Sequence, residues 1–175
     1  MMKKVFLLYS LLYSSFVGAT VLVSPVEAMK EHYALEAIIS KKNILLNQKN
    51  FTAIEQSAKV KLNTKIFRIY TAKADEKILG FGILINRKVR SKNAVVLYFI
   101  SKNILEDIEI IAFNEPREYL PTKKWNDQFH NIPTDKMLKL SRDIPSISGA
   151  TLSARSVTDA SRVAFALYNQ LLKDK

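Results

Sequence analysis

Four apolar, β-branched runs joined by very short polar connections constrain this chain more than any other feature. They are KIFRIYTA at 65–72, ILGFGILINR at 78–87, AVVLYFI at 94–100 and ILEDIEIIA at 104–112. The connections KADEK, KVRSKN and SKN are of hairpin length, whereas a parallel pair needs a crossover of about a dozen residues or more. The runs therefore predict an antiparallel meander.

Helical patterns flank it. Residues 30–46 (KEHYALEAIISKKNILL) place Tyr33, Leu35, Ile38 and Ile39 at helix-like spacing, and 51–60 (FTAIEQSAKV) reads as a shorter helix behind Asn50. At 157–173 (VTDASRVAFALYNQLLK), Ala160, Val163, Ala164, Leu167 and Leu171 fall on one stripe, with Asp159 near the start and Lys173 near the end. Between meander and stripe, Pro116, Pro121, Pro133 and Pro145 punctuate a wrapping segment in which only KKWNDQFH is long enough for a turn or two of helix. At 175 residues the chain suits one domain. The expected class is α+β, an antiparallel β-meander with N-terminal helices and a C-terminal helix packed on the sheet. The expected organisation is a leader at 1–28, a helical segment at 29–64 and the main domain at 65–175.

The leader expectation rests on MMKK, the apolar run from Val5 to Val23 and the small residues that follow. Two A-x-A-like sites are present, Val17-Gly18-Ala19 and Val26-Glu27-Ala28. Cleavage after Ala28 is the preferred reading because charge begins there, and an uncleaved membrane anchor is the rival. Either places the body in the periplasm or otherwise outside the cytoplasm. The whole chain carries 27 basic against 16 acidic groups, a surplus of +11. Export and the scattering of lysines in ones and twos argue against a nucleic-acid partner, leaving a solvated basic surface, attraction to anionic lipid heads, or an acidic redox partner.

With no Cys, the chain has no thiol nucleophile, disulfide or cysteine-bound metal cluster. Its Gly18, Gly80, Gly82 and Gly149 cannot build a phosphate loop or dinucleotide turn, which need several glycines in one short span. His32 and His130 are the only imidazoles, too few for a metal site, and no nucleophile elbow surrounds any Ser. Glu106, Asp107 and Glu109 read as solvent-face charges on a strand, and Trp125 and Phe129, four apart, as core cover.

One constellation remains. Pro145-Ser146-Ile147-Ser148-Gly149-Ala150-Thr151-Leu152-Ser153 stands directly before the last helix. Gly149 and Ala150 strip bulk from beside a hydroxyl, Thr151 has few side-chain rotamers, and the helix start offers amide donors suited to phosphate. The same residues would equally serve as a Ser/Thr-rich turn that caps the helix. Ser148-Gly149-Ala150-Thr151-Leu152-Ser153, with Ser156-Val157-Thr158 behind it, resembles the S/T-G-A-T motif of the FMN-binding domain family. That family includes flavin-bearing subunits of Rnf and sodium-pumping NADH:quinone oxidoreductase complexes and many small exported flavoproteins. Ile78-Leu79-Gly80-Phe81, Trp125-x-x-Gln128-Phe129 and Leu140-x-Arg142-Asp143-Ile144 are similar to other parts of it, so the resemblance spans about residues 65–172.

The resemblance implies FMN joined through its phosphate to Thr151 by a flavin transferase, with Ser148, Gly149 and Ala150 as the close-approach turn and Ser153 as a phosphate or cap contact. It implies an electron-transfer protein served by a membrane-bound or exported redox partner rather than an independent enzyme. The sequence departs from the family pattern six positions before Thr151, where Pro145 stands in place of the usual Asp and the nearest acid is Asp143. A flavin-free exported binding module of the same fold is the alternative.

Overall fold

A computed structural model of the chain describes residues 21–174. Its elements run α1 (Pro25–Tyr33), β1 (Ile38–Leu45), α2 (Gln48–Ala58), β2 (Ile66–Ala74), β3 (Lys77–Lys88), β4 (Asn93–Ser101), β5 (Ile104–Phe113), α3 (Lys123–Asn126), β6 (Ile132–Pro133) and α4 (Thr151–Leu171). Single 3-10 turns at Arg117–Tyr119 and Asp127–Phe129 flank α3. The strands form one six-stranded antiparallel sheet in the order β1-β2-β3-β4-β5-β6. This is the expected α+β meander, with helices on the sheet.

The N-terminal expectation needs correction. Residues 30–46 are not one helix: α1 ends at Tyr33, and 38–45 form the edge strand β1, paired with β2 from Ile38↔Lys73 to Leu45↔Ile66. The segment 29–64 is thus a helix end, a strand and α2. Its apolar residues fit a helical stripe, but β-branched Ile38, Ile39 and Ile44 also suit a strand, and the pairing surface offered by β2 decides between the two. Lys41 and Lys42 in the middle of this edge discourage pairing with another chain. The cap of α2 is Asn47 rather than Asn50, its side chain accepting from the Asn50 N–H at 2.8 Å.

Each sheet face buries a cluster of its own. On one face α2 and α4 cover Phe67, Ile69, Ile83, Tyr98, Ile100, Leu105 and Ile108, with Ile54, Val157, Val163 and Leu167 from the helices. The buried Tyr98 hydroxyl donates to Val157 O at 2.9 Å, which ties β4 to α4. Leu167 is fully buried, so Leu167→Ala is expected to cost ~2–5 kcal/mol, read as a lowered denaturant midpoint; an unchanged midpoint would contradict this packing.

The other face is covered by α1, whose Ala28 and Met29 pack with Tyr70, Ala72, Leu97, Phe99 and Ile111. Close approach depends on β3 glycines, because a Cβ at Gly80 would strike the Tyr33 ring and one at Gly82 the Met29 sulfur. The stretch read as a leader lies outside the described residues up to position 20. From position 21 it belongs to the fold: Val21 bridges Ala112, and Leu22 N–H donates to Ile111 O at 2.9 Å.

Candidate functional site

The motif residues lie together at the start of α4. Gly149 has φ +77°, a left-handed conformation that favours glycine, and a Cβ there would meet nothing within 4 Å. The glycine therefore turns the backbone, in a place open to solvent. Ala150 occupies the N-cap position with no side-chain cap bond, so the hydroxyl-capped helix allowed by the sequence is not what forms. Thr151 is the first helical residue; its side chain is exposed, and its hydroxyl lies 3.3 Å from Ile147 O, to which it donates. Ser148 is exposed in the preceding turn.

The N–H groups of Thr151, Leu152 and Ser153 precede the first intrahelical bond, Ala154 N–H to Ala150 O at 3.1 Å, and find no acceptor among the described residues. Ser153 is 1% exposed, and its Oγ also has no hydrogen-bond partner. A buried hydroxyl without a partner is costly, and this one sits beside three free amides at the positive end of a 21-residue helix.

These groups line a cavity of about 250 Å³ with Val89, Arg90, Glu115, Tyr119, Gly149, Ala150 and Leu152. The opposing wall is the β3–β4 turn. Glu115, just after β5, accepts the N–H of Arg90, Ser91 and Lys92 at Oε1 at 3.0, 2.6 and 2.7 Å. These amides, that of Lys92 foremost, hold its carboxyl below the usual glutamate range against the opposing cost of burial. With a lowered folded value, its contribution to stability is full above the ordinary glutamate pKa of about 4.3 and fades as pH falls through the folded value.

The Pro145 loop is fastened from behind: Trp125 Nε1–H donates to Pro145 O at 2.8 Å, and Trp125 packs edge-on against buried Phe129. Trp125 is thus a core residue that also holds the motif loop. Asp143 is occupied elsewhere, accepting from Lys139 N–H at 2.9 Å and from Arg142 at 2.9 Å, and does not line the cavity. Glu115 is the carboxylate that does.

The strand carboxylates are not free solvent-face charges. The β5 bulge pairs Ile100 with Leu105 and Phe99 with Asp107, leaving Glu106 as the extra residue. Glu106 accepts from His32 Nε2–H at 3.2 Å and from the Ser101 hydroxyl. His32 also stacks on Phe99, ring centroids 4.2 Å apart. Ser101 and His32 bind the same carboxylate rather than each other, so they fasten α1 without forming a Ser–His–acid relay.

Glu109, pushed up by burial and then by Asp107, lines a neighbouring cavity of about 370 Å³ with Glu31, His32, Asp107 and Lys123. His130 is half-exposed with Nδ1 3.6 Å from Asp107. Among the described residues, no group of three or more His, Asp or Glu could hold a metal ion.

Of the residues the sequence singles out, Gly149, Ala150, Thr151 and Ser153 line the cavity and Ser148 does not. Sequence reasoning missed Val89, Arg90, Glu115 and Tyr119, which come from loops with no periodic or motif signal. What the fold and site define is an α+β meander protein with an exposed threonine hydroxyl at a helix start whose first amides are free. No protein-family model matches the chain, and no curated protein matches it.

Proposed function

We propose that the chain is an exported electron-transfer protein that carries FMN by a phosphoester to Thr151. The observation that supports this best is the unpartnered Ser153 Oγ beside the free first-turn amides, within the cavity where Thr151 presents its hydroxyl. The residues fit the group: amides and Ser153 for phosphate oxygens, Thr151 Oγ1 as the point of attachment, and Val89, Tyr119 and Leu152 as apolar surface. The cavity is smaller than the ~300–1,000 Å³ that encloses a drug-sized ligand, which suits the phosphate end of a tethered one.

Bound FMN would supply one- and two-electron chemistry. Thr151 Oγ1 would bond to the flavin phosphorus as the P–O bond of a phosphoanhydride presented by a flavin transferase breaks, the other phosphate departing as the leaving group and the hydroxyl proton passing to solvent. An exported or membrane-bound protein would then exchange electrons with the carrier. The test is co-expression with a transferase, followed by intact mass and in-gel fluorescence after denaturation. Flavin that remains attached supports the reading, and its absence from every preparation sinks it.

One observation favours the alternative, a flavin-free binding module of the same fold. Pro145 stands where the family pattern has Asp, and Asp143 is turned into its own hydrogen-bonded loop. Pro145→Asp raising the modified fraction would show that the transferase reads that position; no flavin on either form would favour the module.

The packing of α1 favours a different processing site. Ala28 and Met29 lie inside α1, 5% and 0% exposed, so removal of 1–28 would cut into a packed element. Processing after Ala19, the other A-x-A-like site, leaves residues 21–33 whole.

A further inference from the structure

Among the arginines around α4, Arg87 and Arg162 are both engaged by Asp159 and Arg142 by Asp143, while Arg155, exposed on α4 itself, does not line the cavity. Arg90 is exposed beside the cavity, and among the described residues its guanidinium makes no ion pair. Its backbone, in contrast, is fixed. Val89 N–H closes the turn on Lys92 O at 2.9 Å, and Glu115 gathers the next three amides while its Oε2 accepts from Ser91 Oγ at 3.2 Å. The turn is also registered against α4, where Ser156 Oγ donates to Lys88 O at 3.2 Å.

A carboxylate lining an anion seat would ordinarily repel its ligand. Here the charge of Glu115 is turned into the turn's own amides and spread over them. What the wall presents to the cavity is then an uncommitted guanidinium, opposite the amides and orphan hydroxyl of the first turn of α4.

We propose that Arg90 is the cationic arm of a phosphate-monoester seat completed by the α4 amides and Ser153 Oγ, and that Glu115 is the positioning residue that holds Arg90 in place. This rests on the reading of the cavity as the place of the flavin phosphate, but extends it to residues the motif does not contain. The planar fork of Arg pairs two phosphate oxygens at once, which Lys does not reproduce.

The test uses the unmodified chain, expressed without a transferase, and compares FMN with riboflavin, which lacks the phosphate, by flavin fluorescence titration. Arg90→Gln is expected to weaken FMN binding roughly tenfold to a hundredfold, the range of a charge-assisted hydrogen bond, and to leave riboflavin unchanged. Arg90→Lys should retain part of the preference. Glu115→Gln should lower the FMN-to-riboflavin preference with Arg90 still present, a ratio that general loosening of the fold would not change.

Inorganic phosphate, followed by amide NMR shifts at Thr151 and Ser153, separates the two readings. Shifts in the wild type that Arg90→Gln abolishes, without measurable flavin binding, would uphold the seat as a phosphate seat, independently of the flavin reading, which intact mass after transferase co-expression decides. An FMN-to-riboflavin preference equal in wild type and Arg90→Gln would overturn the assignment of Arg90. No phosphate shift and no preference in the wild type would overturn the seat.

Discussion

Thr151→Ala is expected to abolish covalently held flavin completely while leaving the fold intact. The first half follows from bonding: a phosphoester needs a side-chain oxygen, and alanine has none. The second follows from the surroundings of the residue. Thr151 is exposed, its hydroxyl makes only a 3.3 Å bond to Ile147 O, and alanine is the better helix former, so thermal stability should change by no more than about 0.5 kcal/mol.

Thr151→Ser should retain some modification, because the hydroxyl survives without the β-methyl that restricts its direction. Ser153→Ala separates attachment from seating: it removes the orphan hydroxyl but not the acceptor, so weakened capture of free FMN with attachment still detectable is expected. Intact mass after transferase co-expression reads all three variants. Flavin persisting on Thr151→Ala through denaturation would place the linkage elsewhere.

The parts of the fold legible in the sequence are those whose side chains carry their own signal. The runs that became β2 to β5 are apolar because both sheet faces are covered, by α1 on one side and by α2 and α4 on the other. The stripe through Ala160, Val163, Ala164 and Leu167 is apolar because it is the buried face of α4. β1 was illegible for the opposite reason: as an edge strand with most of its residues exposed, its conformation comes from backbone pairing with β2, which leaves little trace in residue type.

The site divides in the same way. Gly149 marks a left-handed turn and Thr151 a helix start, both local events. Arg90 and Glu115 meet across 25 positions of sequence through main-chain amides, and amides are the same for every residue except proline. The segment 25–33 carries two signals at once, because a helix sealing a sheet face with Ala28 and Met29 has the composition of a leader's end.

That double signal leads to the other large expected effect. A chain beginning at Met29 should be markedly less stable than one beginning at Thr20. The shorter chain loses the Val21–Ala112 bridge, the Leu22 N–H bond to Ile111 O, and Pro25 to Ala28 of α1. Only Met29 to Tyr33 of the helix would remain, and a single turn does not offset the cost of nucleating it. Met29 would carry a new ammonium group on a residue that is fully buried in the longer chain.

Once α1 undocks, Phe99, Leu97 and Ile111 face water. Losing Met29 from the cluster is alone comparable to truncating a buried large side chain, ~2–5 kcal/mol, out of the ~5–15 kcal/mol that holds a typical domain together. Denaturant melts of the two chains should therefore differ by at least that much, and material from the extracytoplasmic fraction should begin at Thr20 by N-terminal sequencing. Equal midpoints would show that α1 contributes nothing to the sheet face it covers. An exported chain beginning at Met29 with unchanged stability would restore Ala28 as the cleavage site, and one retaining Met1 in the membrane fraction would establish the anchor instead.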